Sequence, residues 1–200
     1  MQPYDLIVIG SGPGGQRAAI QGAKAGKRAV IIEKQTAIGG ASINTGTIPS
    51  KTMREAVLHL SGFYDKNFYG TNHNTEGEVT MADLNFRVQH VIENEVGVVQ
   101  DQLKRNGVEL IHGIGKFVDA KHIRVESGNG SGEFEAKFFV IATGTKPAAN
   151  PKVPTNGRNI INSDQILSMP QIPKTLIVVG GGVIGVEYAC MFATLGVRVI

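Results

Sequence analysis

The chain has 200 residues, of which 42% are hydrophobic and 18% are charged, and its net charge is +3. This length allows one sizeable core, or one domain and part of a second. A single cysteine excludes an internal disulfide and favours the reducing cytoplasm. We expect no nucleic-acid partner, because no basic run is interleaved with aromatic residues, and no membrane segment, because the longest apolar stretches are strand-sized.

The beginning of the chain predicts one βαβ unit. Tyr4 to Ile9 is a β-branched run that ends in glycines, which is typical of a buried parallel strand. Residues 14–26 carry small and apolar side chains at helical spacing and end at a glycine, and Arg28 to Glu33 predicts the second strand. Strand, glycine turn, helix and strand in this order form a Rossmann-like unit.

A long amphipathic helix and a group of short strands follow. Apolar residues recur every three or four positions over residues 80–106, and Thr80 with Asp83 resembles a capping pair at the start. Residues 108–142 alternate as short strands, which predicts a small antiparallel excursion that returns to the main parallel sheet. The composition of residues 62–79 indicates a connection without an assignable role.

The last part of the chain repeats the opening pattern. Prolines mark linkers at residues 147–154 and 170–173, and residues 174–200 again predict strand, glycine turn, helix and strand. We therefore predict an α/β fold. Its first, Rossmann-like domain has a three-layer arrangement around a parallel sheet over residues 1–150, and a second such domain starts within residues 151–200.

The first glycine motif, GxGxxG, consists of Gly10, Gly12 and Gly15 between the first strand and the first helix. Gly10 permits the tight turn, Gly12 lets the backbone approach a pyrophosphate, and Gly15 lets the helix lie close to the strand. Glu33 ends the second strand, where its carboxylate can accept hydroxyl hydrogen bonds from an adenosine ribose. Together these features predict a dinucleotide site, because a turn that only packs would leave Glu33 unexplained.

A second motif of the same kind consists of Gly180, Gly182 and Gly185, again between a strand and a helix. The acidic residue that would distinguish NAD from NADP is expected just past Ile200. Two nucleotide sites in one chain suggest two dinucleotides that exchange electrons, since a single-site dehydrogenase needs only one.

Further motifs carry a family resemblance. Glu33–Lys34, Gly39–Gly40, TIPSK at 47–51, Ala142–Thr143–Gly144 and GGGVIGVEYA at 180–189 occur in one order along the chain. In this order they resemble the flavoproteins of the disulfide reductase type, which have two dinucleotide domains. The resemblance implies FAD in the first domain, NAD or NADP in the second, and a homodimer. Within the family the chain is most similar to soluble pyridine nucleotide transhydrogenases, which pass hydride from NADPH through FAD to NAD.

The redox cysteines of the disulfide reductases are missing. The resemblance places them at Ser42 and Thr47, and hydroxyl groups can neither form nor exchange a disulfide. Cys190 does not replace them, because a lone cysteine on the second motif's helix is more often a small core residue than a nucleophile. We therefore expect hydride transfer without dithiol chemistry.

The resemblance also implies roles for individual residues. Lys51 should place its ammonium near the flavin and stabilise the reduced ring, and Glu187 should pair with that lysine. Without the family, Lys51 would be interpreted as an exposed helix lysine and Glu187 as a solvated carboxylate. Contacts with FAD or with the nicotinamide nucleotides are implied for Gly10, Gly12, Gly14, Gly15, Glu33, Lys34, Gly40, Ser42, Thr47, Lys51, Gly115, Thr143, Gly144, Thr145, Gly180, Gly182, Gly185 and Glu187.

Two alternatives stay open at this point. One is a flavoprotein similar to dihydrolipoamide dehydrogenase or NADH oxidase that has lost its thiols. The other belongs to a different class, an inactive dinucleotide-binding fragment that acts by interaction alone. We expect no metal site, because the five histidines are scattered without ligand spacing.

Overall fold

The computed structural model describes residues 3–62, 79–128 and 130–200, so most of the unassigned connection at 62–79 lies outside the described residues. The chain divides into two compact units. The first unit contains Met1–Asn44 and Glu93–Thr145, and the second contains Thr45–Ile92 and Lys146–Ile200. The sequence division near residue 150 does not anticipate that residues 45–92 group with the C-terminal part, and the assignment of domains to cofactors stays a prediction.

The first unit consists of a six-stranded sheet with its helices. The elements run β1 Tyr4–Ile9, α1 Pro13–Lys24, β2 Ala29–Glu33, α2 Gly40–Asn44, α4 Met81–Arg105, β3 Glu109–His112, β4 Ile114–Phe117, β5 His122–Ser127 and β6 Gly130–Ile141. The order of the strands in the sheet is β3-β2-β1-β6-β5-β4. Helix α1 connects β1 to β2, and only the second half of α4 belongs to this unit. The predicted βαβ unit and the predicted long helix are therefore confirmed.

Strand β6 belongs to two pairings along its twelve residues. Its C-terminal half runs parallel to β1, from Tyr4 opposite Ala136 to Ile9 opposite Ile141. Its N-terminal half pairs antiparallel with β5, and β5 pairs antiparallel with β4. This geometry confirms the predicted antiparallel excursion that returns to the parallel sheet.

The parallel sheet is covered on both faces, as strands with continuous β-branched runs require. Helix α1 packs closely on one face, where a Cβ added at Gly22 would lie 2.9 Å from a Leu6 methyl group. On the other face, Ile7 and Ile32 share a buried cluster with Ile123 of the antiparallel strands. Helix, parallel sheet and antiparallel strands form the three layers predicted for the first domain.

The second unit contains the helices α3 Thr47–Leu60 and α5 Val183–Thr194, the first half of α4 and the two short strands β7 Thr175–Leu176 and β8 Arg198–Val199. A 3₁₀ turn spans Ser163–Ser168. Side chains from α3, α4 and α5, together with Val197 just before β8, form its core, which consists of Met53, Ala56, Val57, Met81, Leu84, Val88, Tyr188, Met191, Phe192 and Val197.

The start of α4 has the predicted capping pair. The Thr80 N–H and hydroxyl donate to the Asp83 carboxylate at 2.9 and 2.6 Å, and the Asp83 N–H donates back to the Thr80 hydroxyl at 3.2 Å. These bonds satisfy backbone groups that the first helical turn leaves free. The side chain of Asn85, one turn into the helix, donates to the Leu167 carbonyl and ties the 3₁₀ turn to α4.

Strand β7 is shorter than the apolar run LIVV at 176–179 predicts. Regular pairing is limited to Thr175 and Leu176, although the Val178 N–H still donates to the Ile200 carbonyl at 2.8 Å, and Ile177 and Val179 are 67% and 71% exposed. Within the described part of the chain, β7 pairs with β8 alone.

None of the helices in the described ranges combines the length and the hydrophobicity needed to cross a bilayer. The longest helix, α4, has 25 residues, but polar and charged side chains occur along its whole length. Its apolar residues serve the cores of the two units instead.

Candidate functional site

Two glycines of the first motif are required by the fold itself. Gly10 has φ +105°, and a Cβ there would lie 2.3 Å from the Ala142 carbonyl oxygen. A Cβ at Gly15 would lie 1.9 Å from the Gly10 carbonyl oxygen. Both distances are far below a normal contact, so the turn from β1 into α1 closes only when these two residues are glycines.

Gly12 and Gly14 have no such internal reason. A Cβ at Gly12 would meet its nearest described atom, the Gly40 Cα, at an ordinary 4.0 Å, and one at Gly14 would meet no described atom within 4 Å. Gly12 also has φ −66° and ψ 176°, which any residue adopts. The space in front of these glycines is open, and this fits a ligand that approaches the backbone closely.

The N-terminus of α1 has the properties of an anion site. Among the described residues no side chain caps it, Gly12 occupies the cap position, and no acidic residue lies in the first turn. The free N–H groups and the positive end of the helix dipole are therefore available to phosphate oxygens. The pyrophosphate of a dinucleotide fits this position.

Gly40 forms the second side of the same space. It has φ +64°, and a Cβ there would lie 2.8 Å from the Gly12 Cα. Its neighbour Gly39 has φ +103°, and a Cβ there would lie 2.6 Å from the Ile43 side chain. The start of α2 thus packs backbone against backbone on the phosphate turn.

Glu33 lies at the end of β2, next to this turn, and is 6% exposed. Its Oε2 accepts the Ser11 N–H at 2.9 Å and the Ser11 hydroxyl at 2.7 Å, and its Oε1 accepts the Gln35 N–H at 2.8 Å. Burial disfavours the charge, but the bonds from Gln35 and Ser11 outweigh it and hold the pKa of Glu33 below its usual value. An ionised carboxylate is a suitable acceptor for ribose hydroxyl groups. The adjacent Lys34, which is also predicted to contact a cofactor, is exposed.

Thr143 also reaches the phosphate turn, because its Cα lies 3.3 Å from the Cβ position of Gly10. Gly144 and Thr145 follow it as exposed residues, with φ +67° at Gly144. Gly115 has an internal reason to be glycine, since a Cβ there would lie 2.8 Å from the Ile123 side chain. Its contact with a cofactor stays a prediction, because the packing against Ile123 already explains why this residue is glycine.

The second motif repeats the first in its backbone geometry. Gly180 has φ +114°, Gly182 caps α5 with φ −74° and ψ 163°, and the Val186 N–H bonds to the Gly182 carbonyl at 3.0 Å. Packing is looser than in the first unit, because a Cβ at Gly185 would lie 3.2 Å from the Gly180 carbonyl oxygen. No side chain of the described ranges caps α5, so this helix also offers its N-terminus to an anion.

Lys51 of α3 and Glu187 of α5 meet in the second unit, where the Lys51 ammonium bonds to Glu187 Oε1. The lysine side chain is 61% exposed and the glutamate 19%. Lys51 also lines a groove of about 600 Å³ between α3 and α4. The glutamate is therefore partly enclosed and orients a cation that remains accessible.

The two positions without thiols bear ordinary hydroxyl groups. Ser42 lies on α2, and its hydroxyl donates to the Gly39 carbonyl at 3.2 Å. Thr47 is the first residue of α3 and is exposed. Neither group has a partner in the described chain that would make it a nucleophile, such as a histidine.

Cys190 corrects one expectation. It is exposed on α5, although a lone cysteine there predicts a small core residue. The buried positions of this helix are Tyr188, Met191 and Phe192, and at 100° per residue Cys190 points away from them. Apolar side chains occur on every face of α5, so the sequence pattern does not show which face is buried.

Ser11 is the residue that sequence reasoning missed. It is fully buried, and its hydroxyl donates to Glu33 and accepts the Gly39 N–H at 3.1 Å. The motif is defined by its glycines, and Ser11 lies between two of them. The available signal is a polar side chain that directly follows a buried strand, where an unpaired hydroxyl would be costly.

Two strand–glycine–helix units, each with an uncapped helix N-terminus, define a protein with two nucleotide-binding motifs. The family profile described as pyridine nucleotide-disulphide oxidoreductase matches residues 4–200, and the chain belongs to this family. The resemblance predicted from the motifs is therefore confirmed.

Curated relatives share much of the sequence. A soluble pyridine nucleotide transhydrogenase of Mycobacterium tuberculosis strain H37Ra is 48% identical over 201 residues, which cover 100% of this chain and 43% of the relative. The enzyme of the same name from Vibrio vulnificus strain YJ016 is 39% identical over 196 residues, covering 98% of this chain and 42% of the relative. The chain thus spans less than half the length of these relatives.

Solved structures agree with the fold. LpdA from Mycobacterium tuberculosis superimposes with a TM-score of 0.84 at 28% identity, over 97% of this chain and 43% of that one. The Cu(II) complex of RclA from Escherichia coli, described as an HOCl-induced flavoprotein disulfide reductase, gives 0.82 at 29% identity, over 100% and 42%.

Proposed function

We propose that the protein containing this chain transfers hydride from NADPH to NAD with FAD as the intermediate carrier. One observation carries this proposal. The Lys51–Glu187 ion pair is intact, whereas both positions of the redox thiols, 42 and 47, bear hydroxyl groups. A site that keeps its charge arrangement without thiols suits hydride transfer and does not suit disulfide exchange. The transhydrogenase names of relatives at 39–48% identity support the same activity.

FAD belongs to the first unit in this proposal. Gly12 and Gly14 leave open space at the α1 N-terminus for the pyrophosphate, and the ionised Glu33 can accept a ribose hydroxyl. When bound, the flavin would accept a hydride from one nicotinamide nucleotide and give it to another. Gly40, which packs on Gly12, keeps the wall of this site free of side chains.

Lys51 and Glu187 act on charge in this proposal. The Lys51 ammonium would supply a fixed positive charge, which favours added electron density on a bound flavin. Glu187 holds this ammonium through the ion pair and limits its conformations. Because both residues lie on helices, the charge is positioned before the nucleotide arrives.

NADPH and NAD belong to the second motif in this proposal, where Gly180 and Gly182 leave the α5 N-terminus open for a pyrophosphate and Gly185 lies close to the Gly180 carbonyl. We also propose a cytoplasmic homodimer. The single cysteine and the word soluble in the relatives' names support the compartment, and the family resemblance supports the dimer.

The test uses the full-length protein, purified with FAD supplied. NADPH and a spectrally distinct NAD analogue are mixed with the enzyme, and reduction of the analogue is followed in the absence of any disulfide substrate. Turnover that survives removal of oxygen and of all thiols supports the proposal. Flavin-containing protein that shows no transfer between the two nucleotides would overturn it.

A disulfide reductase or oxidase that has lost its thiols is the second candidate, since RclA, which is described as a flavoprotein disulfide reductase, shares the fold. The hydroxyls of Ser42 and Thr47 count against it. Parallel assays with lipoamide and with NADH plus oxygen separate these activities from transhydrogenation. A module that only binds would bind nucleotide and be inactive in all three assays.

A further inference from the structure

Ser11 joins three parts of the first unit through one buried side chain. Its hydroxyl donates to Glu33 Oε2 at 2.7 Å and accepts the Gly39 N–H at 3.1 Å. Its own N–H donates to the same Glu33 oxygen at 2.9 Å. The phosphate turn, the end of β2 and the start of α2 therefore depend on a residue that is fully buried.

The other oxygen of Glu33 is held separately. Oε1 accepts the Gln35 N–H at 2.8 Å, and the Gln35 carbonyl bonds to Nδ1 of His112 at 3.0 Å. A carboxylate has about four acceptor positions. Two bonds from Ser11 fill Oε2, and the backbone N–H groups of Gln35 and Lys34 also bond to the carboxylate, so Glu33 is held in one orientation.

We propose that Ser11 is a positioning residue for the adenosine end of the flavin nucleotide, which it affects through Glu33 and Gly39. This inference rests on the proposed function. Ser11 fixes the orientation of the Glu33 carboxylate toward the ribose, and it holds Gly39 so that Gly40 packs on Gly12. Both effects come from one fully buried hydroxyl group.

A hydroxyl that only completes the core would behave differently. Its loss would weaken flavin binding by the same factor at every pH, because it would disturb packing alone. A hydroxyl that acts on Glu33 also stabilises the ionised carboxylate, so its loss makes Glu33 protonate at a higher pH. Lys34 and His112, the other titratable residues beside Glu33 in sequence and in the sheet register, are unchanged in every variant compared.

The experiment measures FAD affinity of the deflavinated full-length protein by fluorescence titration between about pH 4 and about pH 8. Ser11→Ala should weaken binding by roughly tenfold at neutral pH, and its loss of affinity in acid should begin about one pH unit higher than in the wild type. Ser50→Ala is the matched control, because it removes another buried hydroxyl, which donates to the Thr47 carbonyl within α3. It should leave the acid limb of the titration, which is the fall in FAD affinity at low pH, unchanged.

Two further variants make each outcome decisive. Ser11→Cys keeps the size of the side chain with weaker hydrogen bonds, so its acid limb should lie between those of wild type and Ser11→Ala, and it replaces the latter if that variant does not fold. In a Glu33→Gln background, Ser11→Ala should cause no shift of the acid limb. Equal weakening at every pH, or no weakening, overturns the role of Ser11. A wild-type protein that binds no FAD overturns the proposed function instead.

Discussion

The Lys51 ammonium of α3 and the Glu187 carboxylate of α5 form an ion pair between residues 136 positions apart in sequence. The lysine side chain is mostly exposed, so the pair contributes less than about 1 kcal/mol to stability. Folding stability therefore gives little reason for this pair, and the function proposed above gives it another role.

Lys51→Met should separate these two effects. We expect kcat for hydride transfer to fall roughly a hundredfold, because a preorganised charge near the reacting ring is removed. The free energy of unfolding should change by less than about 1 kcal/mol. Lys116→Met is the matched control, since Lys116 is 60% exposed and pairs with Glu126. Steady-state kinetics and thermal unfolding of both variants check this, and an equal loss of activity in the control would contradict it.

Substitutions in the first glycine motif should divide into two classes. Gly12→Ala should fold with an unchanged melting temperature and lose flavin, because its Cβ has room within the protein but occupies the pyrophosphate's place. Gly15→Ala should lose about 3 kcal/mol or more of stability, since its Cβ would lie 1.9 Å from a carbonyl oxygen. Thermal melts and flavin content after purification measure both.

A third glycine gives the control for this comparison. Gly97 lies inside α4, and a Cβ there would meet no described atom within 4 Å. Gly97→Ala should keep its flavin and gain about 0.5–1 kcal/mol of stability from helix propensity. If Gly12→Ala retained FAD as well as Gly97→Ala does, the phosphate site would not be at this turn.

Cys190 should react with thiol reagents in the folded 200-residue chain. Its exposure on α5 predicts labelling of one thiol per chain without denaturant, and Cys190→Ser should abolish that labelling. We expect hydride transfer of the full-length protein to survive Cys190→Ser, because no thiol takes part in moving hydride. Mass spectrometry of labelled peptides locates the site. A Cys190→Ser variant without activity would reopen a role for this thiol.

Acid should destabilise the first unit through Glu33. The pKa of this carboxyl is lower in the folded chain than in the unfolded chain, because hydrogen bonds from Gln35 and Ser11 outweigh the effect of burial. The stabilisation is thus fully present above the unfolded pKa, about 4.3, and is lost as the pH falls through the folded pKa. Denaturant unfolding of the flavin-free protein between about pH 2 and about pH 6 should show this loss, and Glu33→Gln should remove that part of the pH dependence.

Short-range features could be predicted from the sequence alone. The turn after β1 needs glycine at residue 10 because of a positive φ and at residue 15 because of a contact with the Gly10 carbonyl, and a positive φ recurs at residue 180. The periodicity of α4 and its Thr80–Asp83 cap depend only on residues one or two turns apart. Such features need no knowledge of distant partners.

Contacts between distant residues were decided by the tertiary structure. The meeting of Lys51 with Glu187 was implied only by the family resemblance, and the bonds that join Ser11, Glu33 and Gly39 were not predicted at all. Cys190 is exposed because packing selected another face of an evenly apolar helix. Hydrophobic burial is non-directional, so a pattern of residue types states how much surface must be covered, while the packed chain alone determines which side chains meet.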